Sequence, residues 1–178
     1  MELKNLRNEI KTKRLNLSKI EVKNYSKLIE NNLFSLSFLS KKTNFFIYNS
    51  IKNEVDTSRI ISRLQAQNKV ISYPVIIGEN MLSVVPKTSE FERKNFGVLE
   101  PKNYVETNEV EVAIIPLLIC DKNKNRVGYG KGFYDKYLKG KNIIKIGLCY
   151  DFQVVNSLKP NPWDVPLDFI ITPTQIIK

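Results

Sequence analysis

Apolar positions follow a helical period at the start of the chain and form short strand-like runs from residue 45 onward. Leu3, Leu6, Ile10 and Leu17 recur at helical spacing and predict a first helix from Leu3 to Leu15. Lys4, Arg7, Lys11 and Arg14 make a basic stripe alongside it, which reads either as a solvated face or as a surface for an anion. Ser18-Lys-Ile-Glu21 has capping-box spacing and opens a second helix, with Val22, Tyr25, Ile29 and Leu33 facing inward. Phe45-Phe-Ile-Tyr48 is a short aromatic strand. The polar loop from Asn49 to Asp56 leads into a helix carrying Ile60, Ile61 and Leu64, capped by Asp56 or Thr57. Val70 to Ile77 and Met81 to Val85 are strands, and residues 86–110 lack a clear period. A strand over Val112 to Ile119, a helix over residues 132–139, a strand over Ile143 to Cys149, a short helix near Phe152 to Leu158 and a strand over Phe169 to Thr172 complete the pattern. Strands alternating with helices predict an α/β domain around a mainly parallel sheet, and a chain of 178 residues is read as one domain, 1–178.

Composition narrows the chemistry. A chain 42% hydrophobic and 10% aromatic is that of a folded globular protein. No apolar run is long enough to span a bilayer, and the N-terminal residues have no signal-peptide apolar region, so a cytoplasmic protein without a membrane partner is expected. Cys120 and Cys149 sit in apolar segments and read as buried free thiols of a reducing compartment. Histidine is absent. That excludes a His general base, Ser-His or Cys-His nucleophiles and His-ligated zinc, and any metal would be held by carboxylates or phosphates, pointing to Mg2+. The net charge of +10 suits an anionic partner such as a phosphate, a polyglutamate or nucleic acid, although a lysine-rich surface accounts for it equally.

The most informative segment is Arg126-Val-Gly-Tyr-Gly-Lys-Gly-Phe-Tyr-Asp135, which holds three of the chain's seven glycines. Glycines let backbone N–H groups approach oxyanions, and a following helix start adds a favourable dipole. The spacing departs from a P-loop, which needs four residues between its glycines and then Lys-Ser/Thr, and from the Rossmann fingerprint. A ligand-free glycine turn is the alternative, against which Arg126 and Lys131 weigh as two cations beside exposed amides. Asp135 reads either as a carboxylate satisfying the helix start or as a Mg2+ ligand facing bound phosphates. Glu54, in the loop after the aromatic strand, is either a solvated carboxylate or a partner for a cyclic amidine edge such as that of a pterin.

With its companions, the decapeptide resembles the signature of the 5-formyltetrahydrofolate cyclo-ligase family, Arg-x-Gly-x-Gly-x-Gly-Tyr-Tyr-Asp. The resemblance continues in family order through Lys4-x-x-Arg7, Tyr48-x-Ser-x-x-x-Glu-Val-Asp-Thr57, Phe96-Gly-Val-x-Glu-Pro101, Ile146-Gly-Leu148 and Trp163-Asp-Val-Pro-Leu-Asp168. It implies a three-layer-like sandwich of the ribose-5-phosphate isomerase/CoA-transferase type. It also implies ATP, Mg2+ and 5-formyltetrahydrofolate as ligands and a monomer or weak homodimer. By this resemblance Lys4 and Arg7 contact ATP phosphates, and Arg126, Val127, Gly128, Tyr129, Gly130, Lys131, Gly132, Phe133 and Tyr134 cradle the triphosphate. Lys131 stands nearest the transferred phosphoryl, with Arg126 as its catalytic companion. Asp135 binds Mg2+, and Asn49 and Glu54 line the folate site. The segment from Tyr129 through Gly130, Lys131 and Gly132 to Phe133 lies between the two ligands. Two positions depart from the family pattern: Phe133 stands where Tyr is common, and Trp163 where many members have His. Trp163 is thereby expected to stack on adenine or pack a lid, with a plain core role as the alternative, and Asp164 and Asp168 are weaker metal or structural candidates. A non-catalytic RNA-binding protein is the rival reading of the basic surface.

Overall fold

The computed structural model describes residues 3–94 and 97–178. Phe96, which opens the Phe96–Pro101 block, and the first two residues of the chain lie outside them.

The first helix, α1, spans Leu3–Leu15, and α2 spans Lys19–Phe34. The predicted capping box opens α2: the Ser18 amide donates to Glu21 Oε2 at 2.8 Å and the Glu21 amide donates to Ser18 Oγ at 3.2 Å. After β1 (Asn44–Ile47), α3 (Ser58–Ala66) begins with Thr57 as its cap residue. The two polar residues there divide the work. Asp56 Oδ1 accepts from the Ser58 amide at 2.9 Å, while the Thr57 hydroxyl donates to the Tyr48 carbonyl at 2.8 Å and ties the helix start to the end of β1.

Eight strands form the main sheet, adding β2 (Val70–Ile77), β3 (Asn80–Pro86), β6 (Tyr104–Glu106), β7 (Val112–Pro116), β10 (Ile144–Leu148), β12 (Phe169–Ile171) and β13 (Ile176–Ile177) to β1, in the order β13-β12-β10-β7-β1-β2-β3-β6. The run from β12 to β2 is parallel, and antiparallel pairings finish both edges. Side chains alternate across the pleat, so neighbouring residues serve different cores. Phe45, Ile47, Val112, Ile114, Ile146 and Leu148 pack with Ile29 and Leu33 of α2 and Ile60 and Leu64 of α3. Phe46, Ala113, Ile115 and Ile170 pack with Tyr137 and Leu138 of α4 (Phe133–Leu138). Helices on both faces of one sheet make the expected three layers. Gly147 is required by this packing: a Cβ there would lie 2.5 Å from Leu167 Cδ1 and 2.7 Å from Leu117 Cδ2.

Three local expectations change. The strand expected over Val112 to Ile119 divides, because Pro116 has no N–H with which to continue the ladder. The chain then enters a separate three-stranded sheet of β8 (Ile119–Asp121), β9 (Arg126–Val127) and β11 (Val154–Val155). The helix expected near Phe152 to Leu158 is a single tight turn, Asp151–Gln153, followed by β11. Buried Gln153 locks that turn, accepting from the Tyr150 amide at 2.9 Å and donating to the Leu117 and Leu118 carbonyls at 3.1 and 2.9 Å. The β-branched Val154 and Val155 then pair with β8. Within 86–110, β4 (Phe91–Arg93) pairs with β5 (Leu99–Pro101), and β6 extends the main sheet. Cys120 and Cys149 are both buried and free, with their sulfurs 3.5 Å apart.

Candidate active site

Parallel strands present their carboxyl ends to one side of the sheet, where loops converge on ligands. The loop after β1 reaches that side, and so does the glycine segment between β9 and α4. They border one cavity of about 440 Å³. Arg7, Arg126 and every residue from Val127 to Asp135 line it, as do Tyr48, Asn49, Glu54, Glu100, Lys159, Trp163 and Asp164. Lys4 is exposed on α1, outside this lining.

The glycine loop is shaped by its backbone. Gly130 and Gly132 have φ of +93° and +68°, the left-handed region in which a Cβ is costly. Gly132 is also the residue that caps α4. Gly128 lies outside that region, and an added Cβ there would have no neighbour within 4 Å among the described residues. α4 has only six residues, so its dipole is small and the anion-binding capacity rests mainly on loop amides and cations.

Those cations differ in environment. Arg126 is buried, and its Nη2 donates to Asp135 Oδ1 at 2.7 Å. The same oxygen accepts from the Val165 amide at 3.0 Å. Arg7 and Arg126 each hold a buried Nε with no hydrogen-bond partner among the described residues. Buried guanidinium nitrogens without partners are costly in a protein and favour an incoming acceptor. Lys131 is exposed and makes no ion pair with a described residue.

Glu54 is buried, held by its own loop and by the glycine loop. Its Oε2 accepts from the Ile51 amide at 3.0 Å and its Oε1 from the Tyr129 hydroxyl at 2.8 Å. Burial pushes its carboxyl above the usual range, while Arg14, the Ile51 amide and the Tyr129 hydroxyl hold it down. Burial and the Glu54 charge push the Tyr129 phenol up to about 12, and burial raises that of Tyr134 further, so both remain hydroxyl donors at neutral pH. Asn49 lines the cavity, with its side-chain amide donating to the Leu99 carbonyl at 2.7 Å.

The remaining sequence candidates separate clearly. Phe133 lines the cavity while packing on the core beneath α4. Trp163 lines it and is 64% exposed, which removes the plain core reading. Asp168 is outside the lining and pairs with Lys145 at 2.9 Å. No group of three His, Cys, Asp or Glu side chains able to hold a metal occurs among the described residues. Asp135 and Asp164, both in the lining, are the carboxylates that would hold Mg2+, and one or two carboxylates suffice for that ion where substrate phosphates supply further oxygens.

Lys52, Glu100 and Lys159 in the lining, and Arg14 behind it, are charged groups at this site to which the sequence assigned no role. Arg14 lies two helical turns from Arg7 and one from the core residue Ile10, at the edge of the basic stripe that borders the apolar one, and it is the contacts made by other elements that bury it.

Comparison with known proteins gives this arrangement a context. The 5-formyltetrahydrofolate cyclo-ligase family model matches residues 2–173. A 5-formyltetrahydrofolate cyclo-ligase of Haemophilus influenzae is 32% identical, over 91% of this chain and 92% of its own. The NMR structure of the Aquifex aeolicus 5,10-methenyltetrahydrofolate synthetase superposes with a TM-score of 0.88 at 30% identity, covering 99% of this chain and 92% of the other. A solved structure of a 5,10-methenyltetrahydrofolate synthetase from Mycoplasma pneumoniae superposes with a TM-score of 0.80 at 31% identity, covering 97% of this chain and 99% of the other. The RNA-binding alternative finds no support in these matches. A family model spanning almost the whole chain, together with whole-length relatives that share its fold, places this chain in the 5-formyltetrahydrofolate cyclo-ligase family.

Proposed function

We propose that the protein converts 5-formyltetrahydrofolate to 5,10-methenyltetrahydrofolate, using ATP with Mg2+ and releasing ADP and phosphate. One observation carries the reading. A single cavity joins a cation-bearing glycine loop to a buried carboxylate, and the Tyr129 hydroxyl links the two.

In this reading the triphosphate lies along Gly128 to Gly132, with Arg7 and Arg126 turned toward its oxygens and the exposed ammonium of Lys131 at the γ-phosphoryl. The unpartnered Nε atoms of Arg7 and Arg126 favour that assignment. Glu54 accepts hydrogen bonds from the amidine edge of the pterin, and Asn49 lies beside it in the lining. The exposed face of Trp163 offers adenine a stacking surface. Lys4, outside the cavity lining, is left with a peripheral contact to the phosphates. Mg2+, when bound, would be held by Asp135 with Asp164 nearby, and it supplies positive charge against the triphosphate.

The formyl oxygen forms a bond to the γ-phosphorus as the bond from that phosphorus to the β–γ bridging oxygen breaks, giving ADP. N10 then attacks the formyl carbon and loses its proton. The carbon–oxygen bond breaks, and phosphate leaves as the methenyl bridge closes. Both nucleophiles belong to the substrate, so a chain without histidine loses nothing by its absence. What remains for the protein is alignment of two ligands and neutralisation of charge on the moving phosphoryl.

The test mixes the protein with 5-formyltetrahydrofolate, ATP and Mg2+ and follows the near-ultraviolet absorbance of the methenyl product. An increase that requires both ATP and Mg2+ is expected, and its absence overturns the proposal. Glu54→Gln retains the shape but loses the charge, and should raise the folate KM by roughly tenfold, the loss of one charged hydrogen bond, leaving the ATP KM near wild type. An effect confined to ATP would reassign the loop.

A further inference from the structure

Arg14 is 1% exposed, in the last turn of α1, where a long cationic side chain is usually solvated. Its Nη2 donates to the Tyr129 hydroxyl, and its Nη1 lies 4.0 Å from Glu54 Oε1. Its guanidinium carbon sits 5.5 Å from the centre of the Tyr129 ring. The Tyr129 hydroxyl in turn donates to that same Glu54 oxygen. Arg14 is not in the cavity lining, so it acts from behind the wall.

The backbone around it is secured independently. Asn53, next to Glu54, sends its side-chain amide to the carbonyls of Arg14, Leu15 and Leu17 at 3.2, 3.2 and 2.9 Å. Arg14 and Leu15 end α1 and Leu17 follows it, and the Arg14 carbonyl also accepts from the Leu17 amide at 3.2 Å. Asn53 and its neighbour Lys52 both adopt positive φ, 56° and 49°, so the loop accepts backbone strain to hold this arrangement. The Tyr150 hydroxyl donates to the Asn53 carbonyl at 3.1 Å and closes the anchor.

Stability alone does not explain a buried charge here. Replacing a buried ion pair by well-packed apolar residues is often neutral or stabilising, and Arg14 leaves Nε and Nη1 without a hydrogen bond among the described residues. We propose that Arg14 is a positioning residue that couples the two halves of the site. It pins the glycine loop to the folate loop through the Tyr129 hydroxyl and sets its positive charge 4.0 Å from the Glu54 carboxyl proposed to meet the folate ring. This rests on the proposed role of Glu54 in folate binding.

A pH signature follows. The groups facing Glu54 are Arg14 from α1, Lys52 from its own loop, Tyr48 at the end of β1, Tyr129 from the glycine loop, Tyr134 from α4 and Tyr150 after β10. Burial raises the Glu54 carboxyl, and Arg14 is the strongest influence holding it down. Folate binding that needs the carboxylate is present above the Glu54 pKa and fades as pH falls through it. Without Arg14 that pKa rises, so the acid limb moves to higher pH.

The experiment measures binding of 5-formyltetrahydrofolate by calorimetry without ATP from pH 5 to 8.5, with KM and kcat in the methenyl assay, for wild type, Arg14→Met, Arg14→Lys and Tyr129→Phe. Thermal unfolding is followed in parallel. In Arg14→Met the acid limb should move up, folate affinity at pH 7 should fall roughly tenfold or more, and kcat should fall with the loosened glycine loop. Arg14→Lys should restore the limb, and Tyr129→Phe should shift it upward by less than Arg14→Met. A wild-type limb position in a folded Arg14→Met overturns the inference, as does a loss that follows only the unfolding temperature and is not recovered by Lys. If Arg14→Met does not fold, Tyr129→Phe decides, and an unmoved limb there overturns it. Wild-type protein that binds no folate and makes no methenyl product defeats the proposed function instead, separating the two failures.

Discussion

Gly128→Ala separates a glycine needed for folding from one needed for a ligand. Gly128 lies outside the left-handed region, and its added methyl would meet no described atom within 4 Å. At such a position alanine reduces the freedom of the unfolded chain and stabilises by roughly 0.4–1 kcal/mol. For a chain of this size that raises Tm by about 1–4 °C. The ligand complex reverses the sign. An oxyanion hydrogen-bonded to a loop amide sits about 2.9 Å from the nitrogen, and a methyl on the adjacent carbon crowds it. Overpacking of this kind costs about 1–3 kcal/mol, so the ATP KM should rise from roughly fivefold to more than a hundredfold. Gly132→Ala is the contrast: at φ +68° it should lower stability by about 1–2 kcal/mol before any ligand is added. Differential scanning calorimetry and steady-state kinetics on both variants read the two effects. A Gly128→Ala protein with a wild-type ATP KM would show that the loop does not carry the triphosphate. A lowered Tm would show that the backbone argument is wrong.

Two further substitutions address the charges. Lys131 is exposed and unpaired among the described residues, so Lys131→Ala should leave Tm unchanged while kcat falls by roughly 10²–10³, as when one transition-state charge contact is removed. Unchanged turnover would take the phosphoryl away from this residue. Asp135→Asn removes the charge that neutralises buried Arg126 and should cost about 1–3 kcal/mol, seen by thermal unfolding, while raising the Mg2+ needed for half-maximal rate. A lower Tm with unaltered Mg2+ dependence would leave Asp135 as an anchor for Arg126 alone.

Most of the scaffold was legible because its signals are local. The capping box at Ser18 and Glu21 and the alternation of Phe45, Phe46 and Ile47 between two cores both follow from spacing along the chain. The split at Pro116 and the missing helix after Tyr150 were harder to read. One turns on the ladder N–H that Pro116 lacks, the other on Gln153 bonding carbonyls more than thirty residues away. The site divides in the same way. The glycine segment and the identity of its cations stand in consecutive residues, and ordered motifs tie them to a family. By itself, then, the sequence determined the α/β class with its mainly parallel sheet, the glycine segment with its two cations and the exclusion of histidine chemistry. Only the tertiary structure decided that Asp135 holds Arg126, that Lys4 stays outside the cavity while Arg7 enters it, and that Arg14 is buried behind Glu54 and Tyr129. Those three facts join residues from separate elements. Desolvation and pairing of charge depend on which elements meet in space, which spacing along a chain does not encode.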